Sequence, residues 1–421
     1  MTSADLPGPS EPLTAPTHLK PISLLTASHV LIDLCQGMVP ALLPFLVADL
    51  DFTYAAGAGL VFATSAASSV IQPLFGHAAD RWSFRWLLSV SVLLTGAGLA
   101  LGSQSPHYPV FFMALIVSGL GVAAFHPEAA RQVHLVTGPG RSTEMSVFAF
   151  GGGLGFALAP LVTAGLVIGI GRMGTLLILV PTSLLAVMLA GQFSVSAVVG
   201  PATLAKESQP CPMQESFAGF VVLSCVTICR SIVFAGFNTF LAAYWMSRWA
   251  SSPSAGTMML GLFLGSGLCG TLLGGRLADS LGHRAVLRAG FGTATILLPA
   301  LRMAPDILWA MVLLVLLAVA FFTPSGLLVV LGQGYLPNRI GIASGVTLGL
   351  AVSVGGMVAP ALGVLADRQG VESVMLVVEA VLVVAVLLSF MLPQAPRDLV
   401  QQQDESRSEE DHVSVQGASE S

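Results

Sequence analysis

The sequence predicts an all-α polytopic membrane protein, with twelve transmembrane helices arranged in two pseudo-symmetric six-helix halves. Three observations carry that prediction. Of the 421 residues, 54% are hydrophobic and only 9% are charged, with a mean hydropathy of +0.84; a soluble domain carries roughly a quarter of its residues as charges. Apolar windows of about 20 residues, the length that crosses a bilayer core, recur along the chain. Short residue patterns in the first half return some 200 residues later.

Taken in order, residues 1–20 are rich in Pro, Ser and Thr and lack the basic start and small-residue cleavage site of a signal peptide, so they read as a disordered cytoplasmic arm. The N-terminal half occupies 21–196, with spans at 22–47, 54–76, 84–104, 108–130, 144–169 and 172–195. A polar break at 197–217, carrying Pro201, Lys206, Glu207, Pro210 and Pro212, reads as the cytoplasmic linker. The C-terminal half occupies 218–393, with spans at 218–246, 255–278, 284–302, 305–332, 340–366 and 371–392. Residues 394–421 form an acidic, low-complexity tail, again expected to be disordered and cytoplasmic.

Loop charge sets the orientation. With the N-terminus inside, the inner loops and tails receive Lys20, Arg81, Arg85, Arg131, Arg141, Lys206, Arg276, Arg284, Arg288, Arg339, Arg397 and Arg407. The outer side receives only Arg172, Arg248, Arg302 and Arg368. Both termini are therefore expected in the cytoplasm, which requires an even number of spans.

The repeats define the halves. Gly76-His77-Ala78-Ala79-Asp80-Arg81, with Arg85 beyond, follows the second span; Gly275-Arg276-Leu277-Ala278-Asp279-Ser280, with Arg284 beyond, follows the eighth, 199 residues later. A Gly, Asp and Arg loop of this kind can act as a conformational latch: the Gly admits a neighbouring helix, the Asp faces a helix N-terminus, and Arg81, Arg85 or Arg284 pairs across the interface between halves. The alternative is a topogenic loop whose charges sit in water. In the fifth span Gly155 and Pro160 are matched by Gly355 and Pro360 in the eleventh, a pattern suited to close, bent helix packing. Gly151-Gly152-Gly153-Leu154-Gly155 lies within an apolar helix with no strand before it, so it too reads as packing and not as a phosphate loop. A fainter copy, Gly363-Val364-Leu365-Ala366-Asp367-Arg368, falls on the opposite side of the membrane. Cys35, Cys225, Cys229 and Cys269 lie in apolar stretches without ligand partners and read as packing residues.

The Gly-x-Leu-Ala-Asp-x-x-Gly-x-Arg pattern at 275–284 resembles the hallmark loop of the major facilitator superfamily; the first copy departs from it at Ala78 and Ser83. Ser28-His29-Val30-Leu31-Ile32-Asp33 with Gln36-Gly37, Pro40 to Leu46, Gln72 to Gly76, Phe125-His126-Pro127-Glu128-Ala129-Ala130-Arg131 and Arg230-Ser231 are similar to bacterial fosmidomycin resistance proteins. That resemblance implies the major-facilitator fold and proton-driven drug efflux from the bacterial inner membrane.

Ionisable groups inside spans are costly unless paired or hydrated, so each is a candidate for function. Asp33 sits near mid-membrane, and His29, Asp33, Gln36, Gly37 and Pro40 share one helical face, expected to line a cavity. Asp33 and Glu128 are the candidate proton carriers. Glu128 is open between that role and a local ion pair with Arg131; His126 is open between a proton-sensitive cavity residue and a packing one. Arg230 lies at similar depth in the opposite half and is expected to meet Asp33, a cavity or an anionic substrate. His29, Gln36, His126 and Arg230 are the substrate-cavity candidates. Glu379 has no partner evident in the sequence.

The expected function is secondary active transport, namely proton-coupled efflux of a small drug-like or anionic compound such as fosmidomycin by alternating access. The alternative is a proton symporter importing a small organic anion or sugar. No nucleotide loop, nucleophile constellation or metal-ligand set is evident, so neither an enzyme nor a cofactor is expected. Net charge −5 without a basic run argues against nucleic acid. The expected partners are the lipid bilayer, protons and the small-molecule substrate, with the chain acting as a monomer.

Overall fold

The structure, a computed structural model, describes residues 19–81, 86–137, 142–195 and 214–394. All regular structure among them is helical: α1 (Leu19–Leu50), α2 (Tyr54–Arg81), α3 (Leu87–Gly102), α4 (Tyr108–Thr137), α5 (Ser142–Ile170), α6 (Leu179–Val195), α7 (Phe217–Trp249), α8 (Pro253–Leu281), α9 (His283–Arg302), α10 (Ile307–Phe322), α11 (Ser325–Tyr335), α12 (Ile340–Gln369) and α13 (Val371–Phe390). These fill the twelve windows read from the sequence. The sixth opens with the 3-10 turn Arg172–Ile178, and the tenth is split into α10 and α11 at Thr323 and Pro324. Pro324 has no N–H to offer the preceding turn. Pro127 in α4, by contrast, sits inside a helix that continues to Thr137. Among the described residues, eight helical stretches are long and apolar enough to cross a bilayer by length and composition; α3 has 16 residues, and α9 opens on His283, Arg284 and Arg288.

The expected arm, linker and tail fall almost wholly outside the described residues, although Leu19 and Lys20 already belong to α1 and Phe217 to α7. Tight joints replace loops between α8 and α9 and between α12 and α13, where Gly282 and Gly370 both stand at φ +83°, a conformation that costs a side-chain-bearing residue about 1–2 kcal/mol. The N-termini of α8 and α10 are capped by side chains: Ser252 accepts from the Ala255 N–H and Asp306 from the Trp309 N–H.

Each half buries its own apolar core. The first centres on Leu25, Ile32, Phe111 and Phe125, the second on Phe237, Phe263, Phe291 and Phe321. The packing within them repeats as the sequence repeats. A methyl on Gly155 of α5 would collide with the Val30 carbonyl of α1, and one on Gly355 of α12 with the Ser231 carbonyl of α7. The Gly355 N–H also donates to Ser231 Oγ at 2.8 Å. Large apolar side chains on α6 (Val180, Leu184, Val187) and α13 (Leu387, Phe390) point outward and exposed, which is the surface a lipid solvent requires.

The halves meet through α2 on α12, α5 on α8, and α1 on α7 and α8. Hydrogen bonds join them at the end of the bundle away from the termini. There Thr257 Oγ1 of α8 donates to the Ala41 carbonyl of α1 at 3.2 Å, and the Asp367 carboxylate of α12 accepts from the Tyr54 and Ala55 N–H groups at 2.7 and 2.9 Å.

Candidate functional site

Asp33 is buried in α1 between two imidazoles. His29, one turn earlier, places Nε2 3.3 Å from Oδ2, and His126 of α4 places Nε2 3.2 Å from Oδ1. The far side of each ring is already committed. His29 Nδ1 lies 2.8 Å from the Phe148 carbonyl of α5, and His126 Nδ1 lies 2.9 Å from the Val122 carbonyl of its own helix.

Because a carbonyl only accepts, each Nδ1 carries a hydrogen, and each Nε2 holds one only in the imidazolium form. Each Nε2 to oxygen contact therefore needs a proton of its own, from an imidazolium or from a protonated Asp33. Without it, two lone pairs face each other in a buried site, where an unmatched polar contact is costly. The cluster accommodates up to two mobile protons. Among the described residues no other charged side chain comes within ion-pair distance of Asp33; α5 adds only Phe148, its ring stacked on His29 with centroids 4.2 Å apart, and Gly152. The three ligand atoms also lie within 4.8 Å of one another, but Asp33 offers a different oxygen to each ring, the arrangement of two proton-sharing contacts and not of ligands converging on one point.

Arg230 is buried in α7 of the other half. Its Nη2 donates to Ser325 Oγ at 2.7 Å, at the point where α11 restarts after the break, and its guanidinium carbon stands 5.6 Å from the centroid of the Phe321 ring. Its Nε has no partner, and no carboxylate lies within ion-pair distance among the described residues. Pairing of Arg230 with Asp33, one of the alternatives open in the sequence, is not made in this conformation, where each has a nearer partner in its own half. Between the halves lies a cleft lined by Gln36, Thr64, Ser65, Phe156, Asn238 and Thr239, and Asn238 Oδ1 and Thr239 Oγ1 are buried without hydrogen-bond partners. Gln36 therefore faces the cleft, as its helical position implies.

Glu128 is held in a local ion pair. Arg131 Nε and Nη2 each donate to it at 3.1 Å and Gln132 Nε2 at 2.7 Å, forming a forked pair on the same helix as His126. Glu379 also has a partner: Arg302 Nη1 donates to it at 2.8 Å.

Residues 25–360 match the model of the Major Facilitator Superfamily. The chain belongs to that superfamily. Its members are transporters and not enzymes. The chain is 26% identical over 364 residues to the fosmidomycin resistance protein of Escherichia coli (strain K12), covering 84% of this chain and 88% of that protein. It is 29% identical over 372 residues to the uncharacterized MFS-type transporter YfnC of Bacillus subtilis (strain 168), covering 87% and 90% respectively. In fold it is similar to a bacterial homologue of the human lysosomal transporter Spinster in its inward-facing and occupied conformation, with a TM-score of 0.78 at 15% identity over 90% of this chain and 97% of that one.

Within this superfamily fold the three copies of the latch pattern fare differently. Gly76, Asp80 and Arg81 end α2, their side chains outside the described residues, as is Arg85 entirely. Gly275 has nothing within 4 Å of where a Cβ would stand; the close approach to α10 is taken by Gly270 and Gly274, which lie against Val319 and Thr323. Asp279 lies in the last turn of α8, its side chain outside the described residues. Arg284 does not reach across the halves: its Nη1 donates to the Leu392 carbonyl just past α13, where helix-end carbonyls lack internal partners. The faint third copy forms the bond expected of the first two, with Asp367 capping α2 and Gly363 admitting the backbone of Tyr54 and Ala55.

Asp367→Ala is expected to loosen that end of the bundle. A lost N-cap costs about 1 kcal/mol, so the conformation closed there should lose roughly fivefold in population. Labelling of a Thr64→Cys reporter in the cleft, from the side away from the termini, reads the change. Unaltered labelling would leave Asp367 as a surface cap without influence on the halves.

Proposed function

We propose that this protein is a proton-coupled exporter of small anionic or drug-like compounds, working by alternating access as a monomer in a bacterial inner membrane with both termini cytoplasmic. The observation that carries this reading is the Asp33, His29 and His126 cluster, in which each imidazole-to-carboxylate contact calls for a proton of its own. Arg230, buried in the other half with no carboxylate within ion-pair distance among the described residues, supports an anionic substrate. The name of the E. coli relative, fosmidomycin resistance protein, gives the first compound to try. The excess of Lys and Arg on the terminal side supports the topology, and the division at 197–217 supports two halves that rock about the cleft.

Purified protein in vesicles, under an imposed proton gradient, tests the reading with radiolabelled fosmidomycin. Counterflow of substrate and protons is expected; co-movement in one direction would establish symport instead, and flux indifferent to the gradient would overturn proton coupling altogether.

A further inference from the structure

We propose that Gly152 is a positioning residue for the proton cluster, and that α5 carries the cluster's protonation state to the second half. The inference rests on the reading of Asp33 as the proton site. A methyl on Gly152 would stand 2.5 Å from Asp33 Oδ2, 2.6 Å from His29 Nε2 and 2.7 Å from His29 Cε1. That is inside the contact through which the proton is shared, so glycine alone lets the α5 backbone lie directly over it.

The same helix grips the cluster again one turn earlier. The Phe148 carbonyl holds His29 Nδ1 at 2.8 Å and the Phe148 ring lies flat on the imidazole. Gly151 abuts Thr26 and Gly155 abuts Val30, so α5 and α1 touch backbone to backbone along this stretch. When a proton leaves, attraction between His29 and Asp33 gives way to opposed lone pairs, and the pair has to part. The imidazole is tied to α5 through Phe148, and the space over the pair is filled by α5 at Gly152; the displacement is therefore passed to α5. The other side of that helix faces the second half: a Cβ on Gly153 would stand 2.9 Å from Leu268 Cδ2 of α8, and Gly261 of α8 packs on Pro160 and Leu161. One helix is thus biased by the proton site at one face and bears on the partner half at another, which is the physical requirement for coupling.

The test is Gly152→Ala in vesicles, with Gly165→Ala, which meets nothing on the same helix, as the neutral control and Gly151→Ala as the control for packing. Gly152→Ala is expected to lower gradient-driven accumulation by about tenfold and to flatten its pH dependence, with energy-independent exchange near that of the unsubstituted protein. Gly151→Ala should leave the pH dependence intact. An identical loss in both variants would mean that the glycines serve packing only, overturning the inference.

Should Gly152→Ala fail to reach the membrane, spin labels on Gly169→Cys of α5 and Leu281→Cys of α8, in a cysteine-free background, decide the matter. Their distance distribution is expected to change with pH, and not to change when Asp33→Asn is added; a pH response unaffected by Asp33→Asn overturns transmission through α5. The two readings fail separately. Gradient-driven accumulation surviving Asp33→Asn removes the proton site itself, whereas its loss there beside an unaltered Gly152→Ala removes only the role of Gly152.

Discussion

Asp33→Asn is expected to reduce gradient-driven accumulation by about two orders of magnitude, at the upper end of coupling between two bound ligands, while energy-independent exchange of substrate continues. The side chain keeps its size, and its amide can donate to one of the two neutral Nε2 atoms, so α1, α4 and α5 stay assembled. What disappears is the carboxylate that stabilises an imidazolium on either side and can itself hold a proton. With one partner amide in place of a charge, the cluster has no reason to gain and release protons as the halves rock. Proton release on adding substrate, followed with a pH dye in unbuffered detergent solution, measures this directly and should vanish in the variant. Full transport against a gradient by Asp33→Asn would place the proton site elsewhere. Glu128 is then a poor substitute, since Arg131 and Gln132 already occupy its oxygens.

Arg230→Gln should abolish binding of an anionic substrate, and Arg230→Lys should weaken it by about tenfold or more with a smaller effect on maximal rate. A guanidinium has five donors in a fixed fork, and Ser325 takes one position of it; Nε is left without a partner in a buried site. A lysine keeps the charge but not the fork, so recognition of a planar or tetrahedral anion suffers before transport chemistry does. Isothermal titration of fosmidomycin against the purified variants separates affinity from rate. Equal affinity in the Arg230→Lys variant and the unsubstituted protein would reduce the arginine to a clamp between α7 and the start of α11, a role that Ser325→Ala would then be expected to share. The Asp33 and Arg230 variants should also differ from one another in kind, since the two residues sit with separate partners in separate halves.

The architecture was legible because lipid imposes a simple code. Helix length follows bilayer thickness, charge is excluded from spans, and a duplicated half repeats its glycines and prolines at a fixed offset, so Gly155 and Gly355 mark equivalent contacts in the two halves. Asp33, His29 and His126 were legible one by one, as costly groups in apolar helices. Their meeting was not, because Asp33 and His126 lie on helices far apart in the chain and nothing local records which helices will be neighbours.

For the same reason pattern strength does not locate the cap. The pattern is fullest at Gly275, Asp279 and Arg284, but whether an Asp caps a helix depends on which helix N-terminus stands before it, and in this conformation the end of α2 faces Asp367. Gly152 reads as one glycine in a packing run; a sequence gives no way to know that its missing side chain leaves room for a proton-sharing contact on another helix. Composition and periodicity by themselves determined the solvent, the span plan and the duplicated halves, since those depend on each residue's own transfer free energy and its neighbours in the chain. Which charges are paired, which glycine lies over them, and which end of the bundle is closed were decided only by the tertiary structure, because these depend on contacts between helices distant in sequence.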